Sequence, residues 1–209
     1  MNSILKEFEE KFADFNKVKK EFFEKFKEYR EKIISSVVEK LENEDKEGEE
    51  IFYKLLEIEG QISPREYGFR LEEHMFNILK GIFAKYNIER HRSLIKNKIE
   101  DIIIYSGDKK VVVEVKSFID NSEKSPQSIE ILQGYKRDIE GLKDTKYLVF
   151  ASCQSTKDAF EKWKEFHKEW IFLQSYYDGK NYTPIWKCEG FKDYYPLTKL
   201  IETIKEFLK

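Results

Sequence analysis

Residues 98–118, KIEDIIIYSGDKKVVVEVKSF, place charged side chains inside two of the most apolar runs of the chain. The two runs are joined by Gly107 and Asp108, and a glycine in the first position of a two-residue loop is typical of a type II′ hairpin turn. A two-residue loop fixes the pairing of the strands. We therefore expect Asp101 to lie directly opposite Glu114, on the same face of the hairpin, with their β-carbons about 5 Å apart.

The two carboxylates need a compensating charge. Lys116 points to the same face as Glu114, because strand side chains alternate with a period of two. Two half-buried carboxylates at this separation repel each other and take up a proton unless a cation lies between them, and paired oxygen ligands suit Mg²⁺ or Mn²⁺. The alternative is a surface trio of salt-bridged charges on a sheet edge. Apolar runs of this kind usually belong to strands covered on both faces, which favours the metal site.

The composition limits the classes of partner. The chain has 209 residues, with 38 Lys and Arg against 40 Asp and Glu, so any nucleic-acid partner must bind a local basic patch rather than a basic molecule as a whole. Cys153 and Cys188 are far apart, without metal-ligand spacing, and are expected to be reduced thiols. With no signal peptide and no membrane-spanning apolar run, we expect a soluble cytoplasmic protein without a membrane partner.

The first 41 residues contain no glycine or proline and have apolar residues at heptad spacing. With Leu5 as position a, the a and d positions are Leu5, Phe8, Phe12, Phe15, Lys19, Phe22, Phe26, Tyr29, Ile33 and Ser36. This pattern predicts a long, coiled-coil-like helix whose apolar stripe meets either the downstream segment near residues 51–58 or a second copy of the chain in a homodimer. We predict an N-terminal helical arm over residues 1–60 and a second domain over residues 61–209.

The second domain is expected to be of the α/β class. SPRE at residues 63–66 is typical of a helix start, with a capping serine, a first-turn proline and a carboxylate three residues after the cap. Three short β-branched runs follow this helix, and then come an amphipathic helix at residues 128–142 and a strand at residues 146–152. The predicted core has the order αβββαβ, with a mixed sheet flanked by helices.

Asp101, a turn, and then Glu114-Val115-Lys116 resemble the motif of the PD-(D/E)XK nuclease superfamily. The resemblance implies a restriction-endonuclease-like fold around the αβββαβ core. The chain lacks the proline that precedes the aspartate in the motif's name, as many members of the superfamily do.

The helix before the three strands strengthens the resemblance. Small archaeal and archaeal-virus nucleases of the Holliday-junction-resolvase type carry a glycine there and a glutamate four residues later, as Gly68 and Glu72 do in this chain. Glu73 is the alternative if the register shifts by one residue. Gln133, on the helix after the third strand, resembles an additional polar residue that many members place near the metal. The resemblance covers about residues 64–152.

The resemblance implies a Mg²⁺- or Mn²⁺-dependent deoxyribonuclease. The metal ligands would be Asp101, Glu114, the backbone carbonyl of Val115 and Glu72, and Lys116 would stabilise the charge that develops in the transition state. Basic residues near the first strand and on the later helix would bind DNA: Arg90, His91, Arg92, Lys96, Lys98 and Lys136. The alternative function is a non-catalytic module that binds nucleic acid or a protein partner through the same fold.

Overall fold

The computed structural model of the chain describes residues 21, 25–62, 66–96, 98–123 and 125–209. The heptad positions from Leu5 to Phe22 and the predicted helix start at Ser63 and Pro64 lie outside the described residues. The later heptad positions, from Phe26 onward, are described and are compared with the prediction below.

Six strands form one mixed sheet in the order β1-β2-β3-β4-β5-β6. Their bounds are β1 Asn87–Arg92, β2 Glu100–Ser106, β3 Lys109–Ile119, β4 Thr145–Gln154, β5 Ile171–Tyr177 and β6 Tyr182–Pro184. The first three strands are antiparallel, β3, β4 and β5 run parallel, and β6 is antiparallel to β5. Because parallel neighbours require a crossover connection, the chain passes through a helix between β3 and β4 and again between β4 and β5.

Helices flank this sheet and confirm the predicted α/β class. Their bounds are α1 at 25–42, α2 Glu47–Ile62, α3 Tyr67–Ile82, α4 Ile129–Glu140, α5 Lys157–Lys162 with a π-helical turn at Trp163–His167, a 3₁₀ turn at Ile185–Lys187, and α6 Pro196–Leu208. The order α3-β1-β2-β3-α4-β4 is the predicted αβββαβ succession. In the part of the chain that the structure describes, no helix is both long and apolar enough to cross a membrane.

The hairpin of β2 and β3 lies in the centre of the core. Three consecutive residues of each strand, Ile102 to Ile104 and Val111 to Val113, are completely buried. Consecutive strand residues point to opposite faces, so both faces of the hairpin are covered. Helix α3 packs against β3 and α4 packs against β4, while α6 contacts the three parallel strands. The apolar composition of the hairpin is explained by this two-sided burial.

The described part of α1 buries a stripe that differs from the predicted heptad seam. Its buried residues are Ile34, Val37 and Leu41, whereas the seam residue Tyr29 is 63% exposed. These three aliphatic residues belong to the same hydrophobic core as the sheet. The buried stripe of the described part of α1 is therefore aliphatic, with the seam residue Ile33 partly buried beside it, and the coiled-coil-like arm stays a prediction. The homodimer and the domain boundary at residue 60 stay predictions.

Candidate active site

The hairpin has the register that its two-residue loop predicts. Ser106 pairs with Lys109, and the pairing continues in step to Ile102 and Val113, so Asp101 and Glu114 are the next two residues in register. Gly107 has a φ of +58°, the left-handed conformation that a type II′ turn requires at its first central position. The prediction that the turn sets the strand register is confirmed.

The backbone ladder between β2 and β3 ends at the carboxylates. The last paired residues are Ile102 and Val113, although β3 continues beside β4 to Ile119. At this point the Asp101 side chain bonds to the backbone of β3, because its Oδ2 accepts a hydrogen bond of 2.8 Å from the Val115 backbone N–H. A side-chain oxygen therefore replaces a ladder acceptor, and the carboxylate is fixed at the end of the paired region.

Glu114 is buried between two lysines. Only 4% of the residue is exposed, its Oε2 accepts a hydrogen bond of 2.7 Å from Lys98 Nζ, and its Oε1 accepts one of 2.5 Å from Lys116 Nζ. The Lys98 ammonium also lies 4.6 Å from the centre of the Tyr135 ring and 5.1 Å from that of Tyr147. The two aromatic faces help to offset the cost of burying this cation. Lys116 lies beside Glu114, as the strand alternation predicts.

Burial and the neighbouring charges shift the pKa of Asp101 upward. Burial is the main cause and the neighbouring charge of Glu114 is the second, and together they raise the pKa of Asp101 to about 6. The charge of Lys116 and the hydrogen bond from Val115 oppose this rise without cancelling it. Burial lowers the pKa of Lys116, but the charges of Glu114 and Asp101 outweigh burial and raise it, so Lys116 stays a cation. Carboxyl groups with perturbed pKa values are concentrated at functional sites.

Helix α3 places Glu72 beside this pair. The Glu72 charge contributes to the raised pKa of Asp101, so the two carboxylates lie within electrostatic range. Glu72 Oε1 accepts hydrogen bonds of 3.0 Å from Arg90 Nη2 and of 2.5 Å from His91 Nε2. Glu73, the alternative, lines a groove next to α1. The helix carboxylate closest to the candidate site is therefore Glu72.

His91 has an unusual backbone conformation. Its φ is +52°, in the left-handed region that residues with a Cβ rarely adopt. The chain accepts this conformation within β1, where the imidazole reaches Glu72. Strained backbone conformations are concentrated at functional sites, so the conformation of His91 supports the inclusion of Glu72 in the candidate site.

Gln133 and Lys136 do not join the cluster. Gln133 is exposed and lines a surface pocket with Lys136, whose ammonium pairs with Glu140 on the same helix. Tyr135, two residues after Gln133, is the residue of α4 that contacts Lys98. Residues two positions apart on a helix differ by about 200° around its axis, so Gln133 points away from the candidate site. The residue of α4 at the cluster is therefore Tyr135, and a role for Gln133 stays a prediction.

The residues predicted to bind DNA are in three different environments. Lys98 is buried against Glu114, so its placement on a DNA-binding surface is corrected. Arg90 and His91 contact Glu72, and the Arg90 guanidinium also lies 4.9 Å from the centre of the Phe76 ring. Arg92 and Lys96 are exposed to solvent. These last two are the predicted basic residues near β1 that a phosphate can reach without breaking a buried contact.

The sequence reasoning missed Glu100 and Tyr147. Glu100 is completely buried; its Oε2 accepts a hydrogen bond of 2.9 Å from the Leu94 N–H, and its Oε1 has no hydrogen-bond partner among the described residues. The Tyr147 hydroxyl is likewise without such a partner in the described part of the chain. The sequence did carry a signal for the burial of Glu100, because strand alternation places its side chain on the same face as Ile102, which is buried in the core.

The donor set suits a hard divalent cation. Asp101, Glu114 and Glu72 offer carboxylate oxygens, and burial together with the charges of Glu114 and Glu72 raises the pKa of Asp101. Within residues 21, 25–62, 66–96, 98–123 and 125–209, no three or more Asp, Glu, His or Cys residues are already gathered closely enough to hold an ion. Binding a cation would therefore require Glu114 to exchange a lysine contact.

Neither a protein-family model nor a curated protein matches this chain.

Proposed function

We propose that this chain is a metal-dependent nuclease that hydrolyses phosphodiester bonds of DNA, with a PD-(D/E)XK-type site on a restriction-endonuclease-like fold. The observation that supports it most is the Asp101 carboxyl, which is buried next to Glu114 at the end of a strand ladder and has a pKa of about 6. Lys116 lies two residues after Glu114 on β3, contacts it, and completes the motif. A buried carboxyl with a raised pKa beside a second carboxylate favours a cation-binding role over a purely structural one.

Asp101, Glu114, Glu72 and the Val115 carbonyl are the groups that would hold Mg²⁺ or Mn²⁺. Such an ion, when bound, polarises a phosphodiester oxygen and lowers the pKa of a bound water. The Val115 N–H holds Asp101 in place, and Lys116 keeps its positive charge because its pKa is raised. That ammonium would stabilise negative charge developing on the phosphoryl group.

Substrate binding is assigned to the exposed cations near β1. Arg92 and Lys96 would contact phosphates, a sequence-independent interaction. A homodimer formed through the helical arm would supply two sites for the two strands of a duplex or a branched DNA. The free thiols of Cys153 and Cys188 agree with a reducing, cytoplasmic location.

The second candidate function is a non-catalytic module that binds nucleic acid or a protein on the same fold. It is favoured by the lysines on Glu114, since Lys98 and Lys116 already satisfy both of its oxygens. An ion pair of this kind can replace a metal structurally. In that case Arg92 and Lys96 would still bind phosphate, but no cutting would follow.

Cleavage assays on purified protein separate the two functions. Labelled duplex, single-stranded and four-way-junction DNA would be incubated with Mg²⁺, Mn²⁺ or EDTA, using the wild type, Asp101→Asn and Lys116→Ala. We expect metal-dependent cutting that falls by roughly 10² to 10³ or more in both variants, as for the removal of one transition-state-stabilising group. Asp108→Asn and Lys110→Ala, on the same hairpin, are the matched controls and should cut normally. DNA binding without cutting in any metal would favour the second candidate.

A further inference from the structure

A cavity of about 610 Å³ opens where β3, β4 and β5 end. These strands are parallel, and ligands of α/β proteins commonly bind beyond the carboxyl ends of such strands. The walls come from these strand ends, from α2 and α3, and from the segment that leads into β6. The residues that matter for its chemistry are Tyr53, Tyr67, Phe118, Ser152, Cys153 and Tyr182. The volume is in the range of small-molecule sites.

Aromatic rings and neutral polar groups dominate the lining. The Tyr67 hydroxyl and the Ser152 hydroxyl are hydrogen-bonded to each other across the wall. Burial raises the pKa of the Cys153 thiol to about 12, so this group is neutral and is not a thiolate nucleophile. The charged side chains among the lining residues are Glu57, which is paired with Lys54, and Lys180. A largely uncharged, flat ligand with hydrogen-bonding edges matches this surface.

The aromatic residue at the rim of the cavity is held in place. Tyr182 is 57% exposed, and its ring stacks on Tyr177 at 4.6 Å between centres. The Tyr53 hydroxyl donates a hydrogen bond of 3.3 Å to the Tyr182 carbonyl. An exposed, oriented ring beside a cavity is a stacking surface for a base, which presents a flat π-face whatever its identity.

The cavity adjoins the candidate active site along two strands. Phe118 lies two residues after Lys116 on β3, a step of roughly 7 Å in an extended strand. On β4, Ala151 pairs with Lys116, and Cys153, two residues further on and on the same face, lines the cavity. A nucleotide whose phosphate lies at Lys116 could therefore place its base in the cavity.

We propose that this cavity binds one unstacked nucleobase of the DNA substrate while the adjoining phosphate lies at the Asp101, Glu114 and Lys116 cluster. The position of the phosphate rests on the proposed nuclease function, whereas the base-binding chemistry rests on the cavity itself. Enzymes that take a base out of the stack read it by aromatic stacking and by hydrogen bonds to its edge. Phe118 and Tyr182 supply rings, and Tyr67 and Ser152 supply hydroxyls.

The test compares a nucleotide with its sugar phosphate. Each of the four deoxynucleoside 5′-monophosphates and deoxyribose 5-phosphate would be titrated in EDTA into the wild type, Phe118→Ala and Tyr182→Ala, with binding measured by NMR. We expect wild-type binding of nucleotides over deoxyribose 5-phosphate and a loss of roughly tenfold or more in both variants, the size typical of base stacking. Tyr182→Phe keeps the ring and should keep the affinity. Phe166→Ala removes a 66% exposed aromatic outside the cavity and is the control.

Cleavage assays on the same samples separate this inference from the proposed function. DNA cutting without nucleotide binding at millimolar concentration, or equal binding of deoxyribose 5-phosphate, would overturn the nucleobase assignment and leave the nuclease function standing. Nucleotide binding that requires Phe118 and Tyr182, without cutting in any metal, would support the base-binding cavity and overturn the nuclease function. Normal binding in both alanine variants would place the base elsewhere and overturn the inference.

Discussion

The molecule has two buried clusters of charged side chains, and they shift the pKa of a carboxyl group in opposite directions. Glu59 of α2 contacts three basic side chains from α1 and α3. Its Oε2 lies 2.6 Å from His74 Nε2, and its Oε1 lies 2.6 Å from Arg30 Nε and 3.8 Å from Arg70 Nη1. The second cluster, at the end of β2 and β3, places Asp101 beside Glu114, and both lysines of the cluster, Lys98 and Lys116, contact Glu114.

The pKa values of the two carboxyls express the difference. Burial opposes ionisation of Glu59, but the hydrogen bond and charge of His74 and the charges of Arg30 and Arg70 outweigh it, so its pKa is lowered. Burial and the charge of Glu114 raise the pKa of Asp101 to about 6. The Glu59 cluster is electrostatically complete and connects α1, α2 and α3. In the Asp101 cluster, burial and the charge of Glu114 outweigh the charge of Lys116, so Asp101 keeps its proton to a higher pH than a free aspartate. Carboxyl groups perturbed in this way are concentrated at functional sites.

Glu59→Gln should produce the largest change in stability. Removing the negative charge leaves Arg30, His74 and Arg70 facing a neutral amide, and breaking one side of a buried ion pair costs about 3 to 5 kcal/mol. Urea unfolding at pH 7 would measure the free energy of unfolding. Glu57→Gln, an exposed carboxylate on the same helix, is the control and should change it by less than about 0.5 kcal/mol. A loss below about 1 kcal/mol in Glu59→Gln would show that the helix cluster is not complete as described.

The same chemical change at Asp101 should have the opposite sign. Because the folded pKa of about 6 lies above the ordinary value of 3.8, the folded state binds more protons between those pH values, and stability falls as pH rises through that window. Asp101→Asn removes this penalty and should raise the free energy of unfolding by about 1 to 3 kcal/mol at pH 7, without a gain below about pH 4.

The comparison of Asp101→Asn with the wild type isolates this residue. Burial also raises the pKa of Glu49 to about 7, and this contribution is present in both proteins and cancels in the difference. Asp108→Asn in the exposed turn is the matched control and should show no such pH-dependent gain. A destabilised Asp101→Asn at pH 7 would mean that the Asp101 cluster is as well compensated as that of Glu59.

Lys98→Met should strengthen metal binding. Lys98 competes with a metal for Oε2 of Glu114, and methionine keeps an unbranched apolar stem against Tyr135 and Tyr147. We expect the affinity for Mn²⁺ to rise by about tenfold or more, since even a well-screened charge contact at this distance is worth roughly 1.5 kcal/mol. Lys96→Met, at an exposed position close by, should leave the affinity unchanged. Weaker binding in Lys98→Met would show that Lys98 supports the metal site instead.

Arg92→Ala should produce the smallest effect and should alter only DNA binding. Arg92 is exposed and pairs with Glu89 at 3.3 Å, so its loss should change stability by less than about 0.5 kcal/mol. The slope of log affinity against log salt should fall by about 1, equally for unrelated sequences. Lys199→Ala removes a cation with the same spacing to its acidic partner on α6 and is the control. An unchanged slope in Arg92→Ala would remove Arg92 from the DNA-binding surface.

The features that local chemistry fixes were predictable from the sequence. A two-residue loop determines the register of β2 and β3, so the placement of Asp101 next to Glu114 followed from counting residues. The αβββαβ order followed from changes in hydrophobic period. Both signals lie within a short stretch of chain and do not depend on distant contacts.

Features that depend on tertiary packing were not predictable in this way. Gln133 was predicted from the resemblance alone, and no local pattern shows that Tyr135, two residues further along α4, is the residue that contacts Lys98. Lys98 comes from the irregular segment before β2, where no periodicity shows that it is buried against Glu114. In α1, the aromatic heptad pattern was the stronger sequence signal, but the aliphatic stripe through Val37 packs into the core.

Titration of Mn²⁺ into the wild type and Asp101→Asn by calorimetry asks whether Asp101 and Glu114 form a cation site. We expect Mn²⁺ to bind the wild type with an affinity that rises as pH increases through about 6, where Asp101 loses its proton. Binding should be lost in Asp101→Asn and kept in Asp108→Asn. Equal binding in the wild type and Asp101→Asn, or no binding by the wild type on either side of that pH, would show that Asp101 is not a ligand in a cation site.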